Sequence, residues 1–245
     1  MRMAAPAVGI AAFAVDCAGT RTVELQSTLQ VRGASVLKPL LAWTAASCGA
    51  LAKDRAAWEI LARPAVTISD NVATAALWSR VGEEQLLGAL NDRVGMAWQV
   101  HGEGEHPSLR VLVTAGELAR AYAALASDDS DVGRQVREWM CQVPIEQTFG
   151  LRRAVCETLG VEPAAVGVKC GWFGGERAHA VVLVDTRDRT VGAIATTTWR
   201  PTAATRAAVR NAIGSDMKLA AAHEYLVGEE IRAAIHRALV AADEL

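Results

Sequence analysis

The chain has 245 residues, of which 51% are hydrophobic and 21% are charged, and its formal net charge at pH 7 is -2. This composition is typical of a globular protein and excludes a disordered or collagen-like chain. The near balance of charge, without a Lys/Arg cluster, argues against nucleic acid as a partner. No segment reaches the roughly 18 consecutive apolar residues of a membrane-spanning helix, so we expect no membrane partner either.

The N-terminus allows two interpretations. The apolar run from Ala4 to Val15 is compatible with a secretory leader, whereas Val8 to Asp16 also fits a buried strand. The strand is favoured because Arg21 to Gln30, beyond a short turn, supplies a partner for it. The five cysteines are an odd number without metal-ligand spacing, which indicates reduced thiols. We therefore expect an uncleaved, cytoplasmic protein, and the scattered histidines predict no metal or cofactor.

The hydrophobic pattern predicts strands near both ends of the chain and helices between them. In chain order it predicts strands over Val8–Asp16 and Arg21–Gln30, helices over Val36–Ala46, Asn71–Val81, Glu83–Val94, Thr114–Ser127, Asp131–Cys141 and Leu151–Leu159, strands over Val166–Trp172, Ala178–Asp185 and Thr190–Thr198, and helices over Ala203–Ile213 and Glu229–Ala242. Thr114 and Glu117 have the spacing of a capping box.

The simplest architecture joins the N- and C-terminal strands into one antiparallel sheet flanked by helices. The fold class predicted is thus α/β, in the α+β sense, with an all-helical lobe inserted. No repeat or linker divides the chain, so residues 1–245 are predicted to form a single domain. Its α/β lobe covers about 1–34 and 160–245, and its helical lobe covers about 35–159.

Three short motifs combine residue types that can carry out nucleophilic chemistry. They are Ser35-Val-Leu-Lys38, Ser69-Asp70-Asn71 and Lys169-Cys170-Gly171. A serine hydroxyl is a poor nucleophile at neutral pH and needs a base beside it. One helical turn separates Ser35 from Lys38, which brings the amine to the same face as the hydroxyl. Each motif alone is common, but each also lies on the element that it needs: a helix start, a loop before a helix, and a strand before a glycine-rich turn.

In this order the motifs resemble those of the serine penicillin-recognising superfamily, and the layout is most similar to class A β-lactamases. The resemblance covers nearly the whole chain and implies a β-lactamase/transpeptidase-like fold. It implies Ser35 as the nucleophile, Lys38 as its base, and Ser69 as the proton shuttle to the leaving group. It also implies that Lys169, as a neighbouring cation, lowers the pKa of Lys38.

The resemblance assigns further residues to substrate and oxyanion binding. Asn71 would orient the base and the substrate amide, and the backbone N–H groups of Ser35 and Trp172 would form the oxyanion hole. Gly171 and Cys170 would line the same strand. Cys170 stands where the family has Thr or Ser, so the hydroxyl that helps to bind a substrate carboxylate is missing.

Two further departures from the family pattern concern turnover and recognition. The Glu-x-x-Leu-Asn motif, whose carboxylate activates the deacylating water in class A enzymes, is absent from Ala97 to Leu109. Glu103 and Glu105 lie there, either as that base or as solvated residues of a polar loop. Arg177 and His179 lie near the place of a carboxylate-binding Arg, and either could replace it, although a histidine near a strand end also serves structural roles.

These motifs predict a serine acyl-enzyme hydrolase or acyltransferase that acts on an amide, lactam or ester, with a small-molecule or peptide-like acyl substrate. Without a placed deacylating carboxylate, the acyl-enzyme should persist and the hydrolysis of β-lactams should be weak. A cytoplasmic location favours transfer of the acyl group to an amine. The alternative is a catalytically silent protein that kept the fold for binding.

Overall fold

A computed structural model describes residues 7–26, 28–102, 108, 110–173, 177–186, 188–198 and 219–245, with side chains for all of these except 173, 177 and 219–227. This part of the chain forms a five-stranded sheet, a two-stranded sheet and eight α-helices. The mixed fold class predicted from the sequence is confirmed.

The five-stranded sheet is built from strands near both ends of the chain. The strands of the two sheets together are β1 (Ala7–Asp16), β2 (Gly19–Gln26), β3 (Val31–Arg32), β4 (Leu112–Val113), β5 (Val166–Phe173), β6 (Arg177–Asp185) and β7 (Arg189–Thr198). Neighbours in the larger sheet are antiparallel, in the order β2-β1-β7-β6-β5. The single antiparallel sheet that the sequence predicted is confirmed, although β2 ends at Gln26 rather than Gln30. Strands β3 and β4 form the smaller sheet.

The larger sheet has two buried faces because successive side chains of a strand point to opposite sides. Phe13, Val181 and Ile194 belong to an apolar cluster that extends into the helices after β3. Val182, on the opposite face, belongs to a second cluster that includes Ile235 of the C-terminal helix. Burial on both faces explains why the sequences of β1 and β6 are largely apolar.

The helices cover both faces of the sheet. They are α1 (Lys38–Ala45), α2 (Arg55–Thr67), α3 (Asn71–Val81), α4 (Glu83–Val94), α5 (Ala115–Ala126), α6 (Asp131–Cys141), α7 (Leu151–Leu159) and α8 (Leu219–Asp243). The predictions for α3 to α7 are confirmed, and Thr114 and Glu117 form the expected capping box at α5. None of the helices in the described ranges is long and apolar enough to cross a bilayer.

One helix, α2, was not predicted from the sequence. Its start carries a cap, since Asp54 accepts a hydrogen bond from the Ala57 amide at 2.9 Å. Pro64 lies inside the helix and interrupts the signal that a sequence pattern uses. Tertiary packing stabilises α2, because the side chain of its residue Trp58 is fully buried in the apolar core.

Two predicted helices have different limits in the structure. The helix expected over Val36–Ala46 begins as a 3-10 helix, Ala34–Leu37, and continues as α1. The helix expected over Glu229–Ala242 is part of the longer α8. The helix predicted over Ala203–Ile213 lies outside the described residues.

Candidate active site

The three sequence motifs meet where β5 approaches the starts of α1 and α3. Ser35 lies in the 3-10 helix between β3 and α1 and is partly exposed. The Ser69-Asp70-Asn71 loop connects α2 to α3, and Lys169 lies in β5. The site therefore takes its residues from both the helices and the sheet, and its geometry depends on how these pack.

Lys38 is the first residue of α1, and its side chain is 1% exposed. Its Nζ donates hydrogen bonds to the Ser69 carbonyl oxygen at 2.5 Å and to Asn71 Oδ1 at 2.7 Å. Burial lowers the pKa of Lys38 to about 8, although the Asp70 carboxylate opposes this shift. A neutral amine keeps two N–H donors, which these two acceptors use, and its lone pair is then available to accept a proton. Lys38 thus has the protonation behaviour of a general base.

Lys169 supplies a second buried amine. Its side chain is 1% exposed, and its Nζ donates a hydrogen bond to the Val66 carbonyl oxygen, in the last turn of α2, at 3.1 Å. Burial lowers the pKa of Lys169 well below its usual value, and the charge of Lys38 lowers it further. For Lys38 itself the main cause of the lowered pKa is burial, where the family resemblance had pointed to the charge of Lys169.

The loop before α3 presents both acceptors to Lys38. Ser69 has a left-handed backbone conformation, with φ of +59°, and its side chain is partly exposed. Asp70 then caps α3, because its Oδ1 accepts a hydrogen bond from the Ala73 amide at 2.9 Å. This cap places Asn71 in the first turn of α3. Asp70 therefore supports the loop, while its neighbours on either side contact the base.

The backbone of Ser35 lies against the backbone of β5. A Cβ atom at Gly171 would be 2.9 Å from Ser35 N and 3.1 Å from Val36 N, so only glycine permits this approach. Ala34, directly before Ser35, has a φ of +49° and turns the chain into the 3-10 helix. β5 is an edge strand of the sheet that the described residues form. The backbone of Ser35 therefore lies beside the segment of β5 in which Trp172 follows Gly171.

Cys170 and Trp172 belong to the sheet face opposite Lys169. Cys170 is 2% exposed and is a member of the apolar cluster that also contains Ala180. The Trp172 ring packs on Phe149, with 5.9 Å between ring centroids and 55° between planes. The Cys170 side chain therefore offers little surface to a ligand, and the partly exposed Trp172 ring lies on the face of the sheet opposite Lys169.

His179 is fully buried and hydrogen-bonds to the backbone with both ring nitrogens. The Thr197 N–H donates to Nδ1 at 3.3 Å, and Nε2 lies 3.0 Å from the Arg32 carbonyl oxygen. Because Nδ1 accepts, the proton is on Nε2 and is donated to Arg32. The structure thus places His179 beneath the surface of the site. The backbone of Arg177 pairs with Phe173, whereas its side chain lies outside the described atoms, as do Glu103 and Glu105 entirely.

Tyr122 of α5 also contacts the nucleophile turn, although the sequence analysis did not select it. The side chain is fully buried, and its Oη donates a hydrogen bond to the Val36 carbonyl oxygen at 2.5 Å. Burial raises the pKa of Tyr122 well above its usual value, so the hydroxyl keeps its proton. A single Tyr within an Ala/Leu-rich helix could have indicated this contact, because a buried Tyr hydroxyl usually has a hydrogen-bond partner.

Solved class A β-lactamases have this arrangement of sheet and helices. The chain aligns with a variant of the last common ancestor of the class A β-lactamase of Gram-negative bacteria at 17% identity, covering 95% of this chain and 92% of that chain, with a TM-score of 0.64. A halotolerant bacterial β-lactamase aligns at 13% identity over 96% and 95% of the chains, with a TM-score of 0.64. A putative class A β-lactamase from Rhodopseudomonas palustris aligns at 18% identity over 95% and 94%, with a TM-score of 0.60. The fold is therefore that of class A β-lactamases.

A comparison of the sequence with family models identifies the family. Residues 8–221 match the family model described as the beta-lactamase enzyme family, whereas no curated protein matches the chain. Since the match covers most of the chain, the protein belongs to the beta-lactamase enzyme family and is a serine hydrolase. The superfamily resemblance that the three motifs carried is confirmed.

Proposed function

We propose that the protein is a serine acyl-enzyme hydrolase or acyltransferase that acts on an amide, lactam or ester, with Ser35 as the nucleophile and Lys38 as the base. One observation carries this proposal. Lys38 is a buried amine with a pKa of about 8, and its two N–H donors are taken by Ser69 and Asn71. Such an amine can accept a proton at neutral to mildly alkaline pH, one helical turn from the Ser35 hydroxyl.

In the proposed reaction, Lys38 Nζ accepts the hydroxyl proton as Ser35 Oγ attacks the carbonyl carbon of the substrate. The N–H groups of Ser35 and Trp172 donate to the resulting oxyanion. When the intermediate collapses, the bond to the leaving group breaks, and the proton passes from Lys38 through the Ser69 hydroxyl to that group. The acyl group then remains as an ester on Ser35. Burial, rather than the charge of Lys169, favours the neutral form of Lys38.

The fate of the acyl-enzyme distinguishes a hydrolase from an acyltransferase. Attack by water on the Ser35 ester gives hydrolysis, and attack by an amine gives transfer. The deacylation motif of class A enzymes is absent from the sequence between Ala97 and Leu109. Loss of a placed base costs about 10² to 10⁴ in rate, so we propose slow hydrolysis and poor β-lactamase activity. Glu103 and Glu105 are the candidates for any residual base.

The proposed substrate is a small-molecule or peptide-like acyl compound. Asn71 is exposed while its Oδ1 holds Lys38, so the rest of its amide is available to a substrate. Gly171 lets the nucleophile turn lie directly against β5, so an acyl group on Ser35 would lie beside that strand. The burial of Cys170 and His179 leaves Arg177 as the remaining candidate from the sequence for binding a substrate carboxylate.

The proposal is tested by the mass of the intact protein after incubation with a reactive penicillin or an activated ester. We expect a stable adduct that peptide mapping locates on Ser35. The Ser35→Ala variant should give no adduct, and the free energy of unfolding should change by less than about 0.5 kcal/mol, because the partly exposed Ser35 side chain caps no helix.

The control for reagent reactivity is Ser47→Ala, which removes an exposed serine just after α1 whose hydroxyl donates to the Thr44 carbonyl oxygen. This variant should be labelled like the wild type. Labelling that persists in Ser35→Ala would remove Ser35 from the mechanism. An unlabelled wild type that still binds the reagent reversibly would instead favour a catalytically silent binding protein.

A further inference from the structure

One buried titratable residue beside the nucleophile has no part in the reaction proposed above. His179 of β6 lies opposite Gly171 of β5 and opposite Thr196 of β7. Residues paired across antiparallel strands share a face of the sheet. His179 is therefore on the same face as Gly171, the residue whose backbone approaches Ser35 N.

A hydrogen bond links His179 to the segment that leads into the nucleophile. Nε2 donates to the carbonyl oxygen of Arg32 at 3.0 Å, and two residues separate Arg32 from Ser35. On its other side this segment is held by the smaller sheet, since the Gly33 N–H donates to the Val111 carbonyl oxygen at 2.9 Å. The segment is thus anchored between the larger sheet and the strand that precedes α5.

The direction of the His179 hydrogen bond is fixed by its other nitrogen. The Thr197 N–H donates to Nδ1 at 3.3 Å, which requires a lone pair on Nδ1 and leaves the proton on Nε2. A flipped ring or the other tautomer would turn an acceptor toward the Arg32 carbonyl. Since the ring is fully buried, water cannot compensate for that loss.

We propose that His179 is a positioning residue for the nucleophile. By holding the Arg32 carbonyl group in place, His179 fixes the position of the Ser35 amide relative to β5. The inference rests on the proposed function only in taking Ser35 as the nucleophile. It replaces the expectation from the sequence that His179 contacts the substrate, because the ring is buried and its nitrogens contact the backbone.

Two substitutions separate the two hydrogen bonds. The Nε2 of histidine is three bonds from Cβ, as is the amide nitrogen of glutamine, so His179→Gln can still donate to Arg32. The Nδ1 of histidine is two bonds from Cβ, as is the amide oxygen of asparagine, so His179→Asn can still accept from Thr197 but cannot reach Arg32. Each variant loses one hydrogen bond, which makes them matched controls for stability.

The measurements are the acylation rate constant and the dissociation constant for one penicillin, together with hydrogen exchange of residues 31–37. We expect acylation by His179→Asn to be about ten-fold or more slower, with an unchanged dissociation constant and faster exchange in this segment. His179→Gln should stay within about three-fold of the wild type, with wild-type exchange. If His179→Asn does not fold, His179→Met replaces it, because Met fills a similar volume and donates no hydrogen bond.

Equal acylation and equal exchange in the Gln and Asn variants would overturn the inference. A larger dissociation constant for the penicillin at an unchanged acylation rate constant would also overturn the inference, because His179 would then act on substrate binding. If the wild type itself is not acylated on Ser35, the proposed function fails. The exchange of residues 31–37 still tests the positioning role in that case.

Discussion

At the scale of single residues, the two buried amines determine how the site responds to pH. Lys38 and Lys169 are each 1% exposed, so each loses nearly all the water that surrounds it in the unfolded chain. The loss of water destabilises the charged ammonium form and so lowers the pKa of both lysines. The charge of Lys38 lowers the pKa of Lys169 further. The same burial that prepares a base therefore weakens the fold at neutral pH.

The first consequence concerns the rate of acylation. Lys38 acts as a base only when it is neutral, and its pKa is about 8. The acylation rate constant of Ser35 should therefore rise about ten-fold per pH unit below that value and level off above it. Stopped-flow acylation by an activated ester between about pH 6 and pH 10 measures this profile. The Ser35→Ala variant corrects for background reaction of the reagent, and a flat corrected profile would mean that Lys38 is not the base.

A second consequence concerns stability. The folded chain releases the proton of Lys38 at a pKa of about 8, whereas the pKa of a fully exposed lysine is 10.5. Between these values the unfolded state binds more protons, so the free energy of unfolding rises with pH, by up to about 3 kcal/mol. The Lys38→Met variant should lack this rise and be more stable than the wild type at pH 7.

Urea unfolding at pH 7 and near pH 10 measures the difference between the two proteins. Lys53→Met, which replaces an exposed lysine, is the matched control and should change stability by less than about 0.5 kcal/mol. If the wild type and Lys38→Met gain the same stability with pH, the amine of Lys38 is not the group that titrates.

At the scale of elements, the contact between β5 and the 3-10 helix fixes the position of the nucleophile. Adding one methyl group at Gly171 would meet Ser35 N at 2.9 Å, which forces the strand or the turn to move. We expect Gly171→Ala to lower the acylation rate constant by about 10²-fold, because a displacement of about 1 Å has effects of that size.

Gly167→Ala is the control on the same strand. Its methyl group would lie 3.1 Å from the Met140 Cβ, so this variant tests crowding of β5 away from the nucleophile. It should be destabilised by about 1 to 3 kcal/mol yet be acylated at a rate within about two-fold of the wild type. Equal losses of acylation in both variants would show that strand packing, rather than the contact with Ser35, controls the rate.

Elements with strong local signals were predictable from the sequence, and elements that depend on packing were not. The limits of α3 and α4 agree with the prediction, because caps and glycines mark their ends. Helix α2 was missed because Pro64 breaks its pattern and burial of Trp58 stabilises it. The 3-10 helix Ala34–Leu37, which packs against β5, was also not predicted.

At the scale of the whole molecule, the site could be predicted as a set of residues but not as a geometry. Ser35, Ser69 and Lys169 are far apart in the sequence, and their motifs identified them. Tyr122 and His179 form hydrogen bonds to the backbone carbonyl groups of Val36 and Arg32, and no sequence motif reveals such contacts. The causes of the lowered lysine pKa values were likewise accessible only from the packed structure.

The pairing of β1 with β7 also determines the order in which the molecule can form. Ala7 pairs with Thr198 and Asp16 with Arg189, so the two paired strands are far apart in the sequence. Contacts between residues so distant in sequence form slowly, whereas α3 to α6 consist of local contacts. In pulse-labelling hydrogen exchange during refolding, amides of α3 to α6 should be protected before those of β1 and β7, and simultaneous protection would contradict this order.

On the ribosome, the pairing of β1 with β7 is delayed until β7 has been synthesised. β1 can pair with β2 early, but its other edge stays open until β7 has emerged. During that interval an unpaired apolar strand is exposed to other nascent chains. The yield of folded protein in a cell should thus depend on how quickly synthesis proceeds through β5, β6 and β7.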